Sequence, residues 1–379
     1  MERFAERTSN VIGPFFTYEV LMAFFLEAGF IGIMLFGIDR VGARLHFVSC
    51  VVVALGAVVS AFWILAANSW MQTPAGFVLT DDKFQLASWW AAIFNPSFPY
   101  RFAHMVIAAY VTGAFLVIGV SGLHLWRRQH LEFARAGLSI GLWMALVLVP
   151  LQLWLGDLHG LNTLEYQPIK VAAIEGDWET RSGQPLVLFA WPNTAAERND
   201  YVLEIPKLGS LILTHDWNGT VEGLKAVPAQ ERPPVPIVFF AFRLMVGIGL
   251  VLLAVAIAGI VLRWRGRLYD TRWFSIACAL SSPLPFIAIL SGWTVTEVGR
   301  QPFIVYGYLR TAQAMSPVAT SAVIGSFALF VIVYTVLLLA FFLYAWRVIV
   351  RGPQIKEAAQ SPLSVRPGVD SALARISAE

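Results

Sequence analysis

The stretch GWTVTEVGRQPF, residues Gly292–Phe303, decides how the rest of the sequence is interpreted. It ends an apolar segment, Trp273–Leu290, and places Glu297 and Arg300 at the predicted membrane boundary. Residues three apart share one face of a helix, so these two side chains can pair. A carboxylate at that depth is costly unless it is paired or bound to a cation such as a metal. The stretch alone leaves open a structural ion pair at a helix end, or a ligand or proton-carrying carboxylate held by an arginine.

The composition predicts an integral membrane protein. Of 379 residues, 58% are hydrophobic and only 13% are charged, whereas a soluble domain carries roughly 25% charged residues. The formal net charge of +3 indicates little about partners, and we expect a lipid bilayer rather than nucleic acid around the chain. Cys50 and Cys278 lie in apolar runs, so we expect buried thiols and no disulfide framework.

Seven apolar segments are long enough to span a bilayer. The expected fold is therefore all-α, a bundle of about seven transmembrane helices with one long outer loop. We expect helices 1–4 in residues 1–156, the outer loop in 157–235, helices 5–7 in 236–350 and a disordered tail in 351–379. The predicted spans are Pro14–Gly37, Leu45–Ala67, Arg101–Leu125, Gly137–Gly156, Pro236–Leu262, Trp273–Trp293 and Ser321–Trp346.

The distribution of arginine predicts the orientation of these helices. The odd-numbered gaps between spans and the exit from the last span carry clustered basic residues, among them Arg40, Arg127, Arg263 and Arg347. Positive charge collects on the cytoplasmic side of a membrane. This places the C-terminus in the cytoplasm, and the N-terminus and the loop 157–235 outside.

The outer loop is the one sizeable extramembrane piece that the sequence predicts. Aromatic and alternating runs at Leu186–Trp191, Tyr201–Ile205 and Ser210–Thr214 predict short strands within it. The tail from about Gln354 is rich in Ala, Ser and Pro, which predicts disorder.

Two glutamates lie inside the first predicted span. Glu19 and Glu27 are about 12 Å apart along a helix, and on a regular helix they lie within about 80° of one face. Ionisable residues inside a membrane indicate a function such as a proton relay, an ion site or a cofactor contact. The structural alternative is a pair of interhelix hydrogen bonds made by protonated carboxyls. Ser60 and Asn68 in the second span are candidate further hydrogen-bonding steps.

A histidine and a methionine lie at matched depth in two other spans. His104 is one turn inside the outer boundary of the third span, and Met245 is at similar depth in the fifth. Such a pair suits the axial ligands of a low-spin heme, and Arg243 could then neutralise a heme propionate. The structural alternative is a packed core histidine and a methionine that fills space.

Six stretches of the chain match one family in the family's order. They are YEVLMAFFLEAGF (18–30), SAFWILAANSWMQ (60–72), RFAHMVIAAYVTG (101–113), KVAAIEGDWET (170–180), FFAFRLMV (239–246) and GWTVTEVGRQPF (292–303). On these stretches the chain resembles subunit I of the cytochrome bd-type quinol oxidases. The resemblance covers nearly all of the chain.

The resemblance implies heme-binding roles. His104 and Met245 match the axial ligands of the low-spin heme b, with Arg243 beside it. Glu297 matches the carboxylate ligand of a high-spin heme, with the neighbouring Arg300 in the same cofactor site. Trp293 matches a tryptophan placed between hemes.

The resemblance also implies proton and quinol roles. Glu19 and Glu27 match glutamates near the heme cluster and on a proton path, to which Ser60 also belongs. Lys170 and Glu175 match the quinol-oxidation residues of the outer loop, which is known in this family as the Q-loop.

The family reaction is the oxidation of quinol on the outer side, coupled to reduction of O2 to water with protons taken from the cytoplasm. The implied cofactors are a low-spin heme b, a high-spin heme b, and heme d or a third heme b. The implied partners are a second membrane subunit (subunit II), quinol and O2. The implied location is the bacterial cytoplasmic (inner) membrane.

The chain departs from the family pattern at three points. The family has nine spans, and the two N-terminal ones, the first with a histidine ligand of a high-spin heme, have no counterpart here, so we expect Met1 to be an internal or misassigned start. The outer loop is short, as in the cyanide-insensitive branch, and Phe303 stands where the family usually has tryptophan. Two other functions stay open: a truncated, non-catalytic remnant that binds only the low-spin heme b, and a proton- or ion-coupled transporter.

Overall fold

The structure is a computed structural model that describes residues 2–353. The disorder expected for the tail from Gln354 lies outside the described residues. Within residues 2–353, seven helical segments are long and apolar enough to cross a membrane, so the predicted bundle is confirmed. They are Arg3–Phe36, Ala43–Gln72, Phe98–Arg127, Leu131–Tyr166, Val235–Trp264, Arg272–Val298 and Thr320–Arg351.

The helices and strands follow one another without a large sheet. The helices are α1 (Glu2–Tyr18), α2 (Phe25–Phe36), α3 (Ala43–Gln72), α4 (Trp89–Ile93), α5 (Phe98–Arg127), α6 (Leu131–Tyr166), α7 (Pro168–Glu175), α8 (Leu208–Thr214), α9 (Val235–Trp264), α10 (Arg272–Ser281), α11 (Leu284–Val298) and α12 (Thr320–Arg351). The strands are β1 (Phe77–Thr80), β2 (Lys83–Leu86), β3 (Arg181–Ser182), β4 (Leu186–Asn193), β5 (Arg198–Ile205), β6 (Thr220–Val221), β7 (Phe303–Val305) and β8 (Leu309–Arg310).

Two of the predicted spans are irregular. In the first, a π-helical segment, Glu19–Phe24, joins α1 to α2 without a break. The sixth span consists of α10 and α11, and Pro283 lies between them. Proline has no backbone N–H, so it cannot continue the hydrogen bonds of α10. Both irregularities leave the span long enough to cross a bilayer.

The centre of the bundle is α5, which packs along α6 and α10. Small residues make this packing possible. A Cβ added to Gly122 would lie 2.6 Å from the carbonyl oxygen of Ser275 and 2.7 Å from Cβ of Cys278. Glycine at this position therefore lets the backbones of α5 and α10 approach closely, as small residues do between membrane helices.

The expectation of two buried thiols is half right. Cys278 is fully buried between α10 and α5, whereas Cys50 on α3 is only half-buried. An apolar run in a membrane helix faces lipid as readily as it faces other helices. The apolar surroundings of Cys50 in the sequence therefore did not imply burial in the protein.

The segment 167–234 connects α6 to α9 and carries the expected strands at two of three positions. β4 pairs with β5 in an antiparallel hairpin with Leu186 opposite Ile205. The strand predicted at Ser210–Thr214 is wrong, because these residues belong to α8. A short apolar run does not by itself distinguish a strand from a helix. α6 also continues ten residues past the predicted end of its span at Gly156.

Two compact units make up the chain. The first holds residues 1–319 and the second starts at Thr320. The described part of the second unit contains α12, an apolar helix of 32 residues that ends at Arg351. All candidate site residues belong to the first unit.

Candidate functional site

Both intramembrane glutamates of the first span face α3. The Ser60 hydroxyl donates a hydrogen bond of 2.8 Å to Oε1 of Glu19. Glu27 lies against Gly56, because a Cβ added to that glycine would be 3.1 Å from Cγ of Glu27. Since Gly56 and Ser60 are four residues apart, they share one face of α3. Glu19 and Ser60 are thus in contact, and Glu27 lies against the same face of α3 one helical turn away.

The same helix reaches Glu297 at its other end. Nδ2 of Asn68 donates a hydrogen bond of 2.8 Å to Oε1 of Glu297. Arg300 donates to Oε2 of Glu297, which confirms the i, i+3 pair as a contact. Arg101, at the start of α5, donates to Oδ1 of Asn68. Both arginines are buried, and among the described residues Nε of each lacks a hydrogen-bond acceptor.

Lys170 belongs to this same region. Its Nζ atom donates hydrogen bonds of 2.9 Å to Oε1 of Gln72 and to Oε1 of Gln167. Burial, and then the positive charges of Arg101 and Arg300, lower the pKa of Lys170 well below its usual range. We call Lys170, Arg101, Arg300 and Glu297 the cationic cluster. It holds three buried cations and one carboxylate.

A cluster with more cations than anions in a low-dielectric site suits an anionic ligand. The Nη1 atom of Arg300 also lacks an acceptor among the described residues. Carboxylates such as the propionates of a heme have the charge and the acceptor oxygens that these free N–H groups need. On this count the residues fit the group that the resemblance implies.

The proposed axial ligands lie on different helices, next to glycine. Nε2 of His104 is 3.0 Å from Nε2 of Gln152, and its Nδ1 has no hydrogen-bond partner in the described part of the chain. A Cβ on Gly156 would be 3.4 Å from the His104 ring, and one on Gly292 would be 3.0 Å from Sδ of Met245. A buried imidazole nitrogen without a partner and a thioether, each beside a residue without a side chain, suit a flat macrocycle held by axial ligands.

Trp293 lies one helical turn before Glu297 on α11 and is half-buried. It packs against the apolar cluster that includes Leu65 and Trp70 of α3. The tryptophan thus occupies the contact between α11 and α3, on the side of the Glu297 carboxylate.

Glu175 and Arg243 form a second charged region at the other end of α7. Nη2 of Arg243 is 3.5 Å from Oε2 of Glu175. Arg243 also donates to the carbonyl oxygens of Ile174 at 2.6 Å and Val187 at 2.5 Å, and lies over the ring of Phe239. Arg243 is therefore bound to the loop segment, in addition to any contact with a heme propionate.

Asp177 follows Glu175 closely and is buried with it. Burial raises the pKa of Glu175, and the positive charge of Arg243 opposes the effect. Burial also raises the pKa of Asp177, to about 7. We call Glu175, Asp177 and Arg243 the acidic cluster. It holds two buried carboxylates and one cation.

Sequence reasoning missed several residues of this site. Arg101, Gln72 and Gln167 hold Lys170 and Asn68 in place, yet they lie far apart in the chain and share no spacing. Asp177 lies inside a stretch used for the resemblance, but nothing in the sequence shows that it is buried. Polar residues at helix ends facing an apolar bundle were the one available signal.

The fold and the two clusters define a multi-pass membrane protein with ionisable side chains buried at the ends of its helices. The family model described as "Cytochrome bd terminal oxidase subunit I" matches residues 2–353. The chain belongs to this family, which confirms the resemblance. Membership makes it an oxidoreductase subunit of a family that carries heme.

Individual relatives agree with this assignment. The chain is 34% identical to "Cytochrome bd ubiquinol oxidase subunit 1" of Bacillus subtilis, over 94% of this chain and 79% of that protein. It is 32% identical to "Cytochrome bd-II ubiquinol oxidase subunit 1" of Escherichia coli, over 88% of this chain and 79% of that protein. The bd oxidase structure from Geobacillus thermodenitrificans is similar with a TM-score of 0.81 and 33% identity, covering 91% of this chain and 80% of that one.

Proposed function

We propose that this chain is the heme-bearing subunit of a quinol:oxygen oxidoreductase that oxidises quinol near α7 and reduces O2 to water. The position of Arg243 supports this most directly. It forms an ion pair with Glu175, the implied quinol-side carboxylate, and lies two residues before Met245, the implied heme ligand, on α9. The side chain of Arg243 thus connects Glu175, the proposed proton acceptor, to α9, the helix that carries the proposed heme ligand Met245.

In this proposal His104 and Met245 hold the low-spin heme b, and Glu297 is the protein ligand of a high-spin heme. The third cofactor is heme d or another heme b. Bound hemes supply the one-electron steps between quinol and O2. Arg101 and Arg300 would bind the negatively charged groups of the cofactor through buried N–H groups that have no acceptor among the described residues.

Protons for water formation reach the site along α3. Glu27 receives a proton first, Glu19 and its partner Ser60 pass it on, and Asn68 and Glu297 lie at the far end. The distance along α3 from Ser60 to Asn68 is about 12 Å, so water molecules must complete the path. The arginine-rich gaps support entry from the cytoplasmic side.

On the quinol side, Glu175 accepts a proton from the substrate. Its raised pKa, caused mainly by burial, makes it a stronger base than an exposed glutamate. Lys170 is enclosed by Gln72 and Gln167, so it supports the quinol site from the heme side rather than from solvent. We also propose that the loop 157–235 lies on the outer side of the membrane. We further propose that the chain works with a second membrane subunit.

The decisive experiment is the heme content and reduced-minus-oxidised spectrum of the chain purified with its partner subunit. We expect three hemes, a high-spin signal that shifts with carbon monoxide, and O2 uptake driven by quinol. A single low-spin heme would favour the non-catalytic remnant. No heme at all would contradict the proposal and favour a transporter.

A substitution tests the ligand assignment. Met245→Leu should convert the low-spin heme to a high-spin one, because the sixth ligand is lost. Met144→Leu, at an exposed methionine of α6, is the matched control and should leave the spectrum unchanged. A low-spin spectrum in the Met245 variant would refute the assignment.

A further inference from the structure

Asp177 is a buried carboxylate that the proposed function does not yet use. The residue is 2% exposed, and neither carboxylate oxygen has a well-formed hydrogen bond to any described residue. Only the side-chain amide of Gln184 acts on it as a weak donor. A buried carboxylate without partners costs several kcal/mol when ionised, unless it takes up a proton instead.

The backbone fixes Asp177 in this position. Gly176 ends α7 with a positive φ of 77°, which glycine tolerates best. The N–H of Asp177 then donates to the carbonyl oxygen of Ala172 at 2.8 Å, and its own carbonyl accepts from Leu224 at 2.8 Å. The carboxylate therefore stands just beyond the C-terminal end of α7, where the helix dipole disfavours negative charge.

The charged groups around Asp177 come from three elements. Glu175 of α7 raises its pKa, whereas Arg181 of β3 and Arg243 of α9 lower it. Lys225, on the turn that meets Trp178, is held by Glu179 instead.

Asp177 thus has two different sides. On one side, the buried Glu175 pairs with the half-buried Arg243 in the acidic cluster. On the other side, Gln184 accepts a hydrogen bond of 2.6 Å from Nε of Arg181, which is exposed to solvent. The carboxylate therefore interacts electrostatically both with the buried Glu175 and with the solvent-exposed Arg181.

We propose that Asp177 is a second proton-carrying carboxylate of the quinol-oxidising site, taking a proton from Glu175 and releasing it to water beside Arg181. This inference rests on the proposed function. Oxidation of one quinol breaks two O–H bonds and releases two protons, and its two electrons are those that the proposed function delivers to O2. For each proton that leaves this way, an O–H bond forms on Glu175, is replaced by one on Asp177, and breaks when water accepts the proton.

The position and the pKa of Asp177 agree with that role. A group with a pKa of about 7 binds and releases protons at nearly equal cost at neutral pH, which favours proton transfer. The half-buried Asp200 in the same loop is instead paired with Arg198.

The test is quinol-driven O2 uptake of the complex carrying Asp177→Asn, measured from pH 5.5 to 8.5. We expect turnover to fall by roughly 10²-fold, and we expect the variant to lack the rise in rate near pH 7 that the proposal predicts for the wild type. Asp177→Glu should restore most of the rate with a shifted pH profile. Heme content should stay at the wild-type level, and so should O2 uptake with an artificial one-electron donor that carries no dissociable proton.

The control and the contradicting results are distinct. Asp216→Asn, at an exposed aspartate of the same loop, should behave as wild type. Wild-type turnover and pH profile in Asp177→Asn would overturn the inference, and so would loss of heme from that variant, because either result assigns Asp177 a structural role at most. Absence of quinol-driven uptake by the heme-loaded wild type would instead overturn the proposed function.

Discussion

The two ends of α7 bury charge of opposite sign. Lys170 near its start belongs to the cationic cluster, where three cations surround the carboxylate of Glu297. Glu175 at its end belongs to the acidic cluster, where Arg243 pairs with Glu175, and Asp177 has no ion-pair partner among the described residues. One helix of eight residues therefore separates a site short of negative charge from a site short of positive charge.

The difference indicates how each end becomes neutral. Fixed arginines cannot lose their charge, because the guanidinium stays protonated in proteins, so the cationic cluster needs an anionic ligand. Carboxylates can be neutralised by a proton, so the acidic cluster needs no bound ligand to become neutral. This chemistry supports the proposed cofactor-binding role of one end and the proposed proton-exchanging role of the other.

The largest effect is expected from removal of the carboxylate in the cationic cluster. Glu297→Gln leaves Arg300 buried without its counter-ion, which should cost about 3 kcal/mol of stability and cause loss of heme. Heme per chain and thermal unfolding in detergent measure both effects. Glu231→Gln breaks the more solvent-accessible pair with Arg310 and should cost less than about 1 kcal/mol. Equal stability of the two variants would contradict the comparison.

A smaller effect on stability but a large one on rate is expected at the acidic cluster. Glu175→Gln removes the proton acceptor and should slow quinol oxidation by about 10²-fold. The hemes should remain bound, because Arg243 keeps its hydrogen bonds to the carbonyl oxygens of Ile174 and Val187. Unchanged turnover with quinol would remove Glu175 from the site. A glutamine at the exposed Glu204 of the same loop is the control.

The third prediction concerns pH and Lys170. Its pKa in the folded chain is lowered, chiefly by burial, so the folded state binds fewer protons than the unfolded state. Stability should then rise as pH increases between the lowered pKa and the ordinary value of about 10.4. Lys170→Met should flatten this rise by about 2 °C or more in unfolding temperature between pH 7 and 9.5. An unchanged slope in the variant would show that the lysine is not desolvated.

The fourth and smallest effect has the opposite sign. The raised pKa of Asp177, about 7, means that the folded state binds more protons, so stability should fall as pH increases from about 4 to about 7. Asp177→Asn should unfold about 2 °C higher than wild type at pH 8, and the difference should shrink toward pH 5. Parallel pH curves for the two proteins would count against a buried, unpaired carboxylate.

The sequence predicted the bundle well, because apolar runs long enough to cross a membrane form spanning helices. It also indicated Glu19, Ser60 and Glu297 correctly as neighbours of other polar groups. The sequence did not predict that Lys170 and Glu175 lie in surroundings of opposite charge. Both lie in one short motif, and only the partners that other helices contribute distinguish them.

The short strands and thiols show the same limit on a smaller scale. Ser210–Thr214 is too short for its periodicity to specify a helix or a strand. Burial of Cys278 depends on Gly122, a residue distant in the sequence. Local patterns predict an element, whereas contacts between elements decide which side chains meet.

The π-helical segment Glu19–Phe24 sets the rotational phase of the first span. A π turn closes over one more residue than an α turn. The eight steps from Glu19 to Glu27 therefore act like about seven α-helical steps, which return to the starting direction within about 20°. In a regular α-helix of the same length, eight steps would rotate Glu27 by about 100° from this direction, away from Gly56 of α3. The face of the first span on which Glu27 lies thus depends on the π turn as well as on the number of residues.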